Sequence, residues 1–235
     1  MMIADFHSHV LPRVDDGSTS SEESLAMLRM QSEQGIGLVI ATPHFYPQYD
    51  SPDVFLQRRD TSARRLREAM IGHDDLPAVL LGAEVYYYRG ISESDALYQL
   101  TINGKSCILI EMPMPPWSDH MYRELEEISR RGLIPVIAHV DRYIAPMRTY
   151  GIPERLAKLP VLVQANADFF LQRKTRKLAL RMLKKKQIHL LGSDCHNLTS
   201  RAPNIGEAIR VIEKHAGGEV LQWICDNQYK LLDSH

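Results

Sequence analysis

His7 and His9 stand one residue apart, behind the apolar run Met2, Ile3 and Ala4. If positions 2–9 form a strand, side chains alternate between its faces, and both imidazoles point the same way at its C-terminal end. Two imidazoles on one face can share a metal ion. Asp15 and Asp16 follow in a turn that Gly17 permits, and can bring a carboxylate back over the same place. Alone, His-x-His is a weak signal, because two exposed histidines at a loop end read the same. The rest of the chain repeats the pattern. Apolar runs over 38–44, 78–84 and 106–111 end in His44, Glu84 and Glu111. The run over 134–139 ends in His139, and that over 188–196 in Asp194 and His196. Only the run over 161–166 ends differently, in the amides Gln164 and Asn166.

Longer helical patterns separate these runs. Ser20 and Glu23 have the spacing of a capping box, with Leu25 and Leu28 on an apolar face and Gly35 as a stop. An arginine-rich helix is expected from Pro52 to Met70, another from Tyr122 to Arg131, and a basic one from Asp168 to Lys186. One or two more follow Asn204. Alternating strand and helix over the whole length predicts an α/β fold with a parallel sheet. Neither a linker nor a low-complexity segment interrupts it, so residues 1–235 read as one domain. The segment 112–117 reads as a loop stiffened by its prolines.

In a closed parallel barrel all strand C-termini meet on one face, where active sites lie. His7, His9, Asp16, His44, Glu84, Glu111, His139, Asp194 and His196 would then share one site. These are too many ligands for one zinc, which takes about four. Carboxylates can bridge, and a mixed imidazole and carboxylate set suits manganese, iron or zinc, so two or three divalent ions are expected. Such a cluster binds phosphate oxygens and turns a bridging water into a nucleophile near neutral pH.

The segments Asp5-x-His7-x-His9, Val14-Asp15-Asp16-Gly17, Thr42-Pro43-His44, Gly82-Ala83-Glu84, Ile110-Glu111, Ala138-His139-x-x-Arg142 and Ser193-Asp194-x-His196 carry a resemblance. Together they resemble the polymerase and histidinol phosphatase (PHP) superfamily. Within it they are most similar to the bacterial manganese-dependent tyrosine phosphatases of capsule and exopolysaccharide loci. The likeness runs from Asp5 to about Arg201. It implies a distorted (β/α)7 TIM-like barrel of PHP type holding three metals, with Mn2+ as the cofactor. It also implies phosphotyrosine as the substrate group, carried on the clustered-tyrosine tail of a bacterial kinase. One departure is Arg13, where the family has a small residue after Leu-Pro; it adds positive charge near the site.

Arg142 lies three residues after His139 and Arg201 five after His196, which puts both near the metal face. Guanidinium groups bind phosphate bidentately and neutralise transition-state charge. By resemblance both are phosphate-binding arginines; a surface salt bridge is the plain alternative. His44 and Asp16 both remain open as proton donors to the leaving group. Cys195 and Arg201 also form Cys-x5-Arg, the spacing of cysteine-dependent phosphatases. Strand alternation turns Cys195 away from its neighbours Asp194 and His196, and no glycine lies between it and Arg201 to wrap a phosphate. A buried structural thiol is expected instead. Phe45, Tyr46, Tyr86, Tyr87, Tyr88 and Trp117 follow ligand runs and can frame an aromatic substrate or pack the rim. His73, His120, His189, His215 and His235 lack this context and read as non-ligands. The basic helix reads as a solvated face, or as a surface for an acidic partner or a membrane.

With 28 Lys and Arg against 29 Asp and Glu, the net charge of −1 predicts no global pull toward nucleic acid or membrane. The odd count of three distant cysteines points to a reducing compartment. The N-terminal residues do not read as a signal peptide, and no apolar run approaches the ~20 residues of a membrane helix. The expected location is therefore the cytoplasm. Two other readings remain open: a small-molecule phosphatase such as a histidinol-phosphate hydrolase, and a catalytically silent, metal-stabilised binding module.

Overall fold

The structure is a computed structural model that describes residues 3–144 and 149–233. Met2 and His235, named above, lie outside the described residues. The strands are β1 (Asp5–Ser8), β2 (Leu38–Ala41), β3 (His44–Phe45), β4 (Ala78–Leu81) and β5 (Glu84–Tyr86). They continue with β6 (Cys107–Glu111), β7 (Ile134–Ile137), β8 (Leu162–Asn166) and β9 (Leu190–Gly192). All pair in parallel, in the orders β1-β2-β4 and β3-β5-β6-β7-β8-β9. The two groups run into one another as a single curled sheet. Only Thr42 and Pro43 separate β2 from β3, and only Gly82 and Ala83 separate β4 from β5. The runs over 38–44 and 78–84 are thus each kinked into two segments. Pro43 has no N–H to continue a ladder, but its carbonyl still accepts from Glu84 N at 3.0 Å. The ends of the sheet also meet: Asp194 N donates to His7 O at 2.8 Å and His9 N to Cys195 O at 2.9 Å.

Eight α-helices cover this sheet among the described residues: α1 (Ser21–Glu33), α2 (Pro52–Ala69), α3 (Asp119–Arg130), α4 (Ile152–Leu156), α5 (Asp168–Leu171), α6 (Arg176–Lys184), α7 (Ile205–Ala216) and α8 (Gly218–Asp233). The Ser20 side chain caps α1 by accepting from Glu23 N, while the Glu23 carboxylate reaches back to Thr19 rather than Ser20. Half of the expected capping box forms. The basic helix expected over 168–186 is two helices. The Thr175 hydroxyl donates to Phe169 O, and the Arg176 guanidinium donates to Phe170 O and Leu171 O. Side chains take the carbonyls that a continuous helix would have used, so α5 stops at Leu171.

Most apolar side chains lie between sheet and helices. A smaller cluster includes Phe6, Ile40, Leu109, Val136 and Leu190, from five different strands. Leu109 precedes Glu111 by two residues and shares its face, so this cluster floors the ligand positions. In β1 the register slips between Asp5 and Ser8, so Phe6 joins the floor while His7 and His9 still reach the site.

Candidate metal centre

All nine expected ligands come together at the C-terminal ends of the strands. Glu84, fully buried, is the hub: its carboxylate lies 3.0 Å from His7 Nε2, 2.7 Å from His139 Nε2 and 3.0 Å from His44 Nδ1. Glu111 stands 3.8 Å from His44 Nδ1 and 3.7 Å from His139 Nε2. Asp194 stands 3.6 Å from His7 Nε2 and 3.4 Å from His9 Nε2. Asp16, at the exposed mouth, is 3.4 Å from His196 Nε2 and 3.7 Å from His44 Nε2. Three overlapping groups have ligand atoms within 4.8 Å of one another: His7, His9 and Asp194; His44, Glu84 and Glu111; and His9, Asp16, His44 and His196.

Partners behind the ligands hold the rings. His9 Nδ1 lies 2.6 Å from Asp15 Oδ2, and His7 Nδ1 lies 3.3 Å from Gln164 Oε1. His196 Nδ1 is 2.9 Å from the Asp194 carbonyl, which can only accept. With Nδ1 donating in each case, Nε2 keeps its lone pair for the site. Gln164 Oε1 also accepts from His139 N at 2.6 Å, and Asn166 Nδ2 donates to Asp194 Oδ2 at 2.9 Å. The amide-ended strand therefore orients ligands without supplying one. Asp5 is a second hub: its carboxylate accepts from Ser193 N at 2.8 Å, Ser193 Oγ at 2.5 Å and Gln31 Nε2 at 2.8 Å. Asp5, Asp15, Gln164 and Asn166 escape a search for ligand types at strand ends. Their sequence signal is only their place beside or within the motifs.

Electrostatics and strain both mark the site. Burial opposes the charge of Glu84, yet His7, His139 and His44 hold its carboxyl well below the usual range. Burial, then the Glu84 charge, pushes Glu111 up to about 7. Crowded carboxylates of this kind are relieved by cations. Buried Glu111 Oε2, His44 Nδ1 and His196 Nε2 have no hydrogen-bond partner, although His44 Nδ1 is close to Glu84. Five imidazoles, four carboxylates and no thiol form an N/O donor set that fits divalent ions of the manganese, iron and zinc kind. His139 and Asp194 have positive φ, 29° and 54°, a conformation costly for residues with a Cβ.

Both expected arginines reach the centre through Asp194. Arg201 Nη2 lies 2.6 Å from Oδ1, and Arg142 Nη2 donates to Oδ2. Each remains about a third exposed. They border a cavity of about 460 Å³ that also touches Asp141, Asn166, Gln172 and Asn204. Arg13 does not join them: its Nε donates to Thr19 O at 2.9 Å, on the outer side of the first loop. Cys195 is fully buried, with Gln31 Nε2 at 3.8 Å, and burial pushes its thiol up to about 12. Of the aromatic residues, Phe45 and Trp117 are core, and Tyr87 is tied to Glu124. Tyr46 stacks on His44 at 5.0 Å between centroids and lies 5.6 Å from Tyr86. His73, His120, His189 and His215 stand in none of the ligand groups.

The family model described as capsular polysaccharide synthesis, CpsB/CapC, matches residues 3–233. The tyrosine-protein phosphatase YwqE of Bacillus subtilis is 31% identical over 97% of this chain and 91% of its own. The tyrosine-protein phosphatase CpsB of Streptococcus pneumoniae is 30% identical over 97% of each chain. A solved structure from the study of YwqE and the pneumococcal CpsB, described as unique metal-dependent tyrosine phosphatases, superposes with a TM-score of 0.84. It is 28% identical, covering 99% of this chain and 95% of that one.

Proposed function

The chain belongs to the CpsB/CapC family of capsular polysaccharide synthesis, and on that premise we propose that it is a metal-dependent protein-tyrosine phosphatase. The observation that carries this reading is convergence: ligand groups from separate strand ends meet around Glu84, and two arginines close on Asp194 beside them.

In this proposal His7, His9, Asp16, His44, Glu84, Glu111, His139, Asp194 and His196 hold two or three divalent ions, with manganese favoured. The bound ions would supply an activated water and Lewis-acid attraction for the phosphoryl oxygens. Arg142 and Arg201 would turn from Asp194 to the remaining phosphoryl oxygens, where their charge opposes the charge that develops in the transition state. Asp15 and Gln164 fix the tautomers of His9 and His7. The tyrosyl oxygen has a pKa near ~10, so its departure needs less acid assistance than an alkyl alcohol would. The buried thiol of Cys195 has no part.

We further propose that residues 1–235 form one PHP-type domain, a distorted (β/α)7 barrel in which β2 with β3 and β4 with β5 each count as one strand. The contacts of His7 and His9 with Asp194 and Cys195 support closure. The proposed substrate is the phosphorylated tyrosine tail of a bacterial kinase that regulates capsular or exopolysaccharide synthesis, and the proposed compartment is the cytoplasm. Among the described residues no helix is long and apolar enough to cross a membrane.

The test is a comparison of kcat/KM on a phosphotyrosine peptide and on histidinol phosphate, before and after chelation and after return of manganese. The expected result is activity on the peptide that is lost with the metal and restored by manganese. Full activity in protein shown by elemental analysis to be metal-free would overturn the proposal, as would a preference for histidinol phosphate.

A further inference from the structure

Positions 173–186 hold eight of the 28 Lys and Arg residues of the chain and none of its 29 Asp and Glu. Helix α6 spends its apolar side on the core, burying Leu178, Ala179, Met182 and Leu183. At about 100° per residue, Lys177, Arg181 and Lys184 then share the opposite face, and Lys174 and Lys185 flank the helix at its two ends. All five are exposed. Among the described residues none of the five enters an ion pair, in contrast to the exposed cations Arg130 and Arg155, which do. Two other cations of this stretch have internal work. Arg176 holds the carbonyls at the end of α5, and the Lys186 ammonium lies 4.8 Å over the Trp223 ring.

The strip begins at the site. Gln172 lines the cavity that Arg142 and Arg201 border, and Arg173 and Lys174, the next two residues, are exposed. From this rim the strip runs along α6, whose nine residues span about 14 Å. An extended chain covers that distance with about four residues. No large apolar side chain is exposed along it; the exposed ones, such as Tyr49, Ile71, Met114 and Tyr229, lie elsewhere. The strip therefore offers charge along a line and nothing to insert among lipid chains.

We propose that the exposed face of α6 is a docking strip for an acidic stretch of polypeptide flanking the phosphotyrosine of the substrate. This rests on the phosphatase reading, whose site the strip adjoins. Continuity with the cavity favours a chain that enters the site over a membrane surface, which has no reason to meet Gln172. The strip acts on association and on KM, and leaves the chemistry at the metal face unchanged.

The experiment compares the wild-type holoenzyme with the triple variant Lys177→Glu/Arg181→Glu/Lys184→Glu and with its Gln counterpart, since both residues suit a helix. Three substrates are used: p-nitrophenyl phosphate, a phosphotyrosine peptide with neutral flanks, and one with six Glu on either side. A labelled Glu-rich peptide without phosphate serves for direct binding. The expected result is a loss of about tenfold or more in kcat/KM for the Glu-flanked peptide, mostly in KM, with the other two substrates unchanged. The labelled peptide should bind the wild type, release with added salt, and not bind the Glu variant. Equal rates for both peptides in the wild type, or equal losses on both in the variants, would overturn the strip. So would variant-sensitive binding to phosphatidylglycerol vesicles with no effect on either peptide. A wild type inactive on p-nitrophenyl phosphate and on both peptides, while the labelled peptide still binds, would fail the phosphatase reading and not the strip.

Discussion

Asp194 accepts from Arg142, Arg201 and Asn166 while facing His7 and His9, so guanidinium groups and imidazoles meet on one carboxylate. A guanidinium is always protonated and has no lone pair to offer a metal, so Arg142→Ala and Arg201→Ala should keep their metal. Each should lose about a hundredfold in kcat/KM on a phosphotyrosine peptide, about 3 kcal/mol, as when one oxyanion donor is removed. Lysine at either position should restore part, since it keeps the charge without the planar fork. Metal analysis beside kinetics decides: lost metal together with lost rate would make the arginine structural. Asp15 works one step further back, at 2.6 Å from His9 Nδ1 and 2.9 Å from His44 N. Asp15→Asn should weaken metal binding by about 10–100-fold, the usual cost of losing a partner behind a ligand; titration with a competing chelator measures it. The nine residues that gather at the site were legible in the sequence as imidazoles and carboxylates at or near the ends of apolar runs. Asp5, Asp15, Gln164 and Asn166 were visible as residues but not in their roles, because a group that binds the back of another is identified only by what it touches.

Among the elements, the approach of β9 to β1 leaves no room for side chains. A Cβ on Gly192 would lie 2.5 Å from the Cβ of His7 and 2.6 Å from Gln164 Nε2. Gly192→Ala should therefore push His7 out of place, lowering both metal content and melting temperature. Gly218→Ala, at a helix start with nothing within 4 Å, should do neither. Strand β8 adds a pH dependence. Val163 N donates to His189 Nδ1 at 3.1 Å and His189 N donates to Val163 O at 2.9 Å, so the imidazole completes the ladder only when neutral. Burial pushes His189 from 6.5 down to about 4. The unfolded chain thus binds the extra proton first, and stability present above pH 6.5 is lost as the pH falls toward 4. The loss is on the order of 3 kcal/mol. Urea unfolding of the wild type and His189→Asn at pH 7 and 4.5 should show the variant less sensitive to acid. Strand and helix alternation was readable from apolar runs and their punctuation. The break between α5 and α6 was not, because Thr175 and Arg176 are ordinary helix residues until their side chains take carbonyls from the preceding turn.

For the whole molecule, the site is also a stability element. Four carboxylates and five imidazoles crowd the end of the sheet where its first and last strands meet. Divalent ions that bind the folded form and not the unfolded one add RT ln(1 + [L]/Kd), about 4 kcal/mol at a thousandfold excess over Kd. Chelated and dialysed protein should melt several degrees lower than the manganese-loaded form, with the gap widening as manganese rises; differential scanning calorimetry measures this. A melting temperature indifferent to divalent ions would mean the cluster binds none. The sheet and its curl were foreseeable, since parallel strands joined by helices must cover both faces. The contact that joins its two ends was not foreseeable, because it depends on a backbone meeting between residues more than 180 positions apart.

That meeting also sets an order in time. His7 and His9 leave the ribosome ahead of the other seven site residues, and Asp194 and His196 come last of the nine. In the folded chain the place beside β1 opposite β2 is taken by β9, which begins at Leu190. At a synthesis rate of roughly 5–20 residues per second, the early histidines wait on the order of ten seconds for their late partners. During that interval a growing chain has seven of the nine site residues, but neither Asp194 nor the contact that joins the ends of the sheet. The gathering of these residues is thus a test of completeness: a product cut short before β9 lacks Asp194, on which both arginines close, and should strip phosphate from nothing it meets.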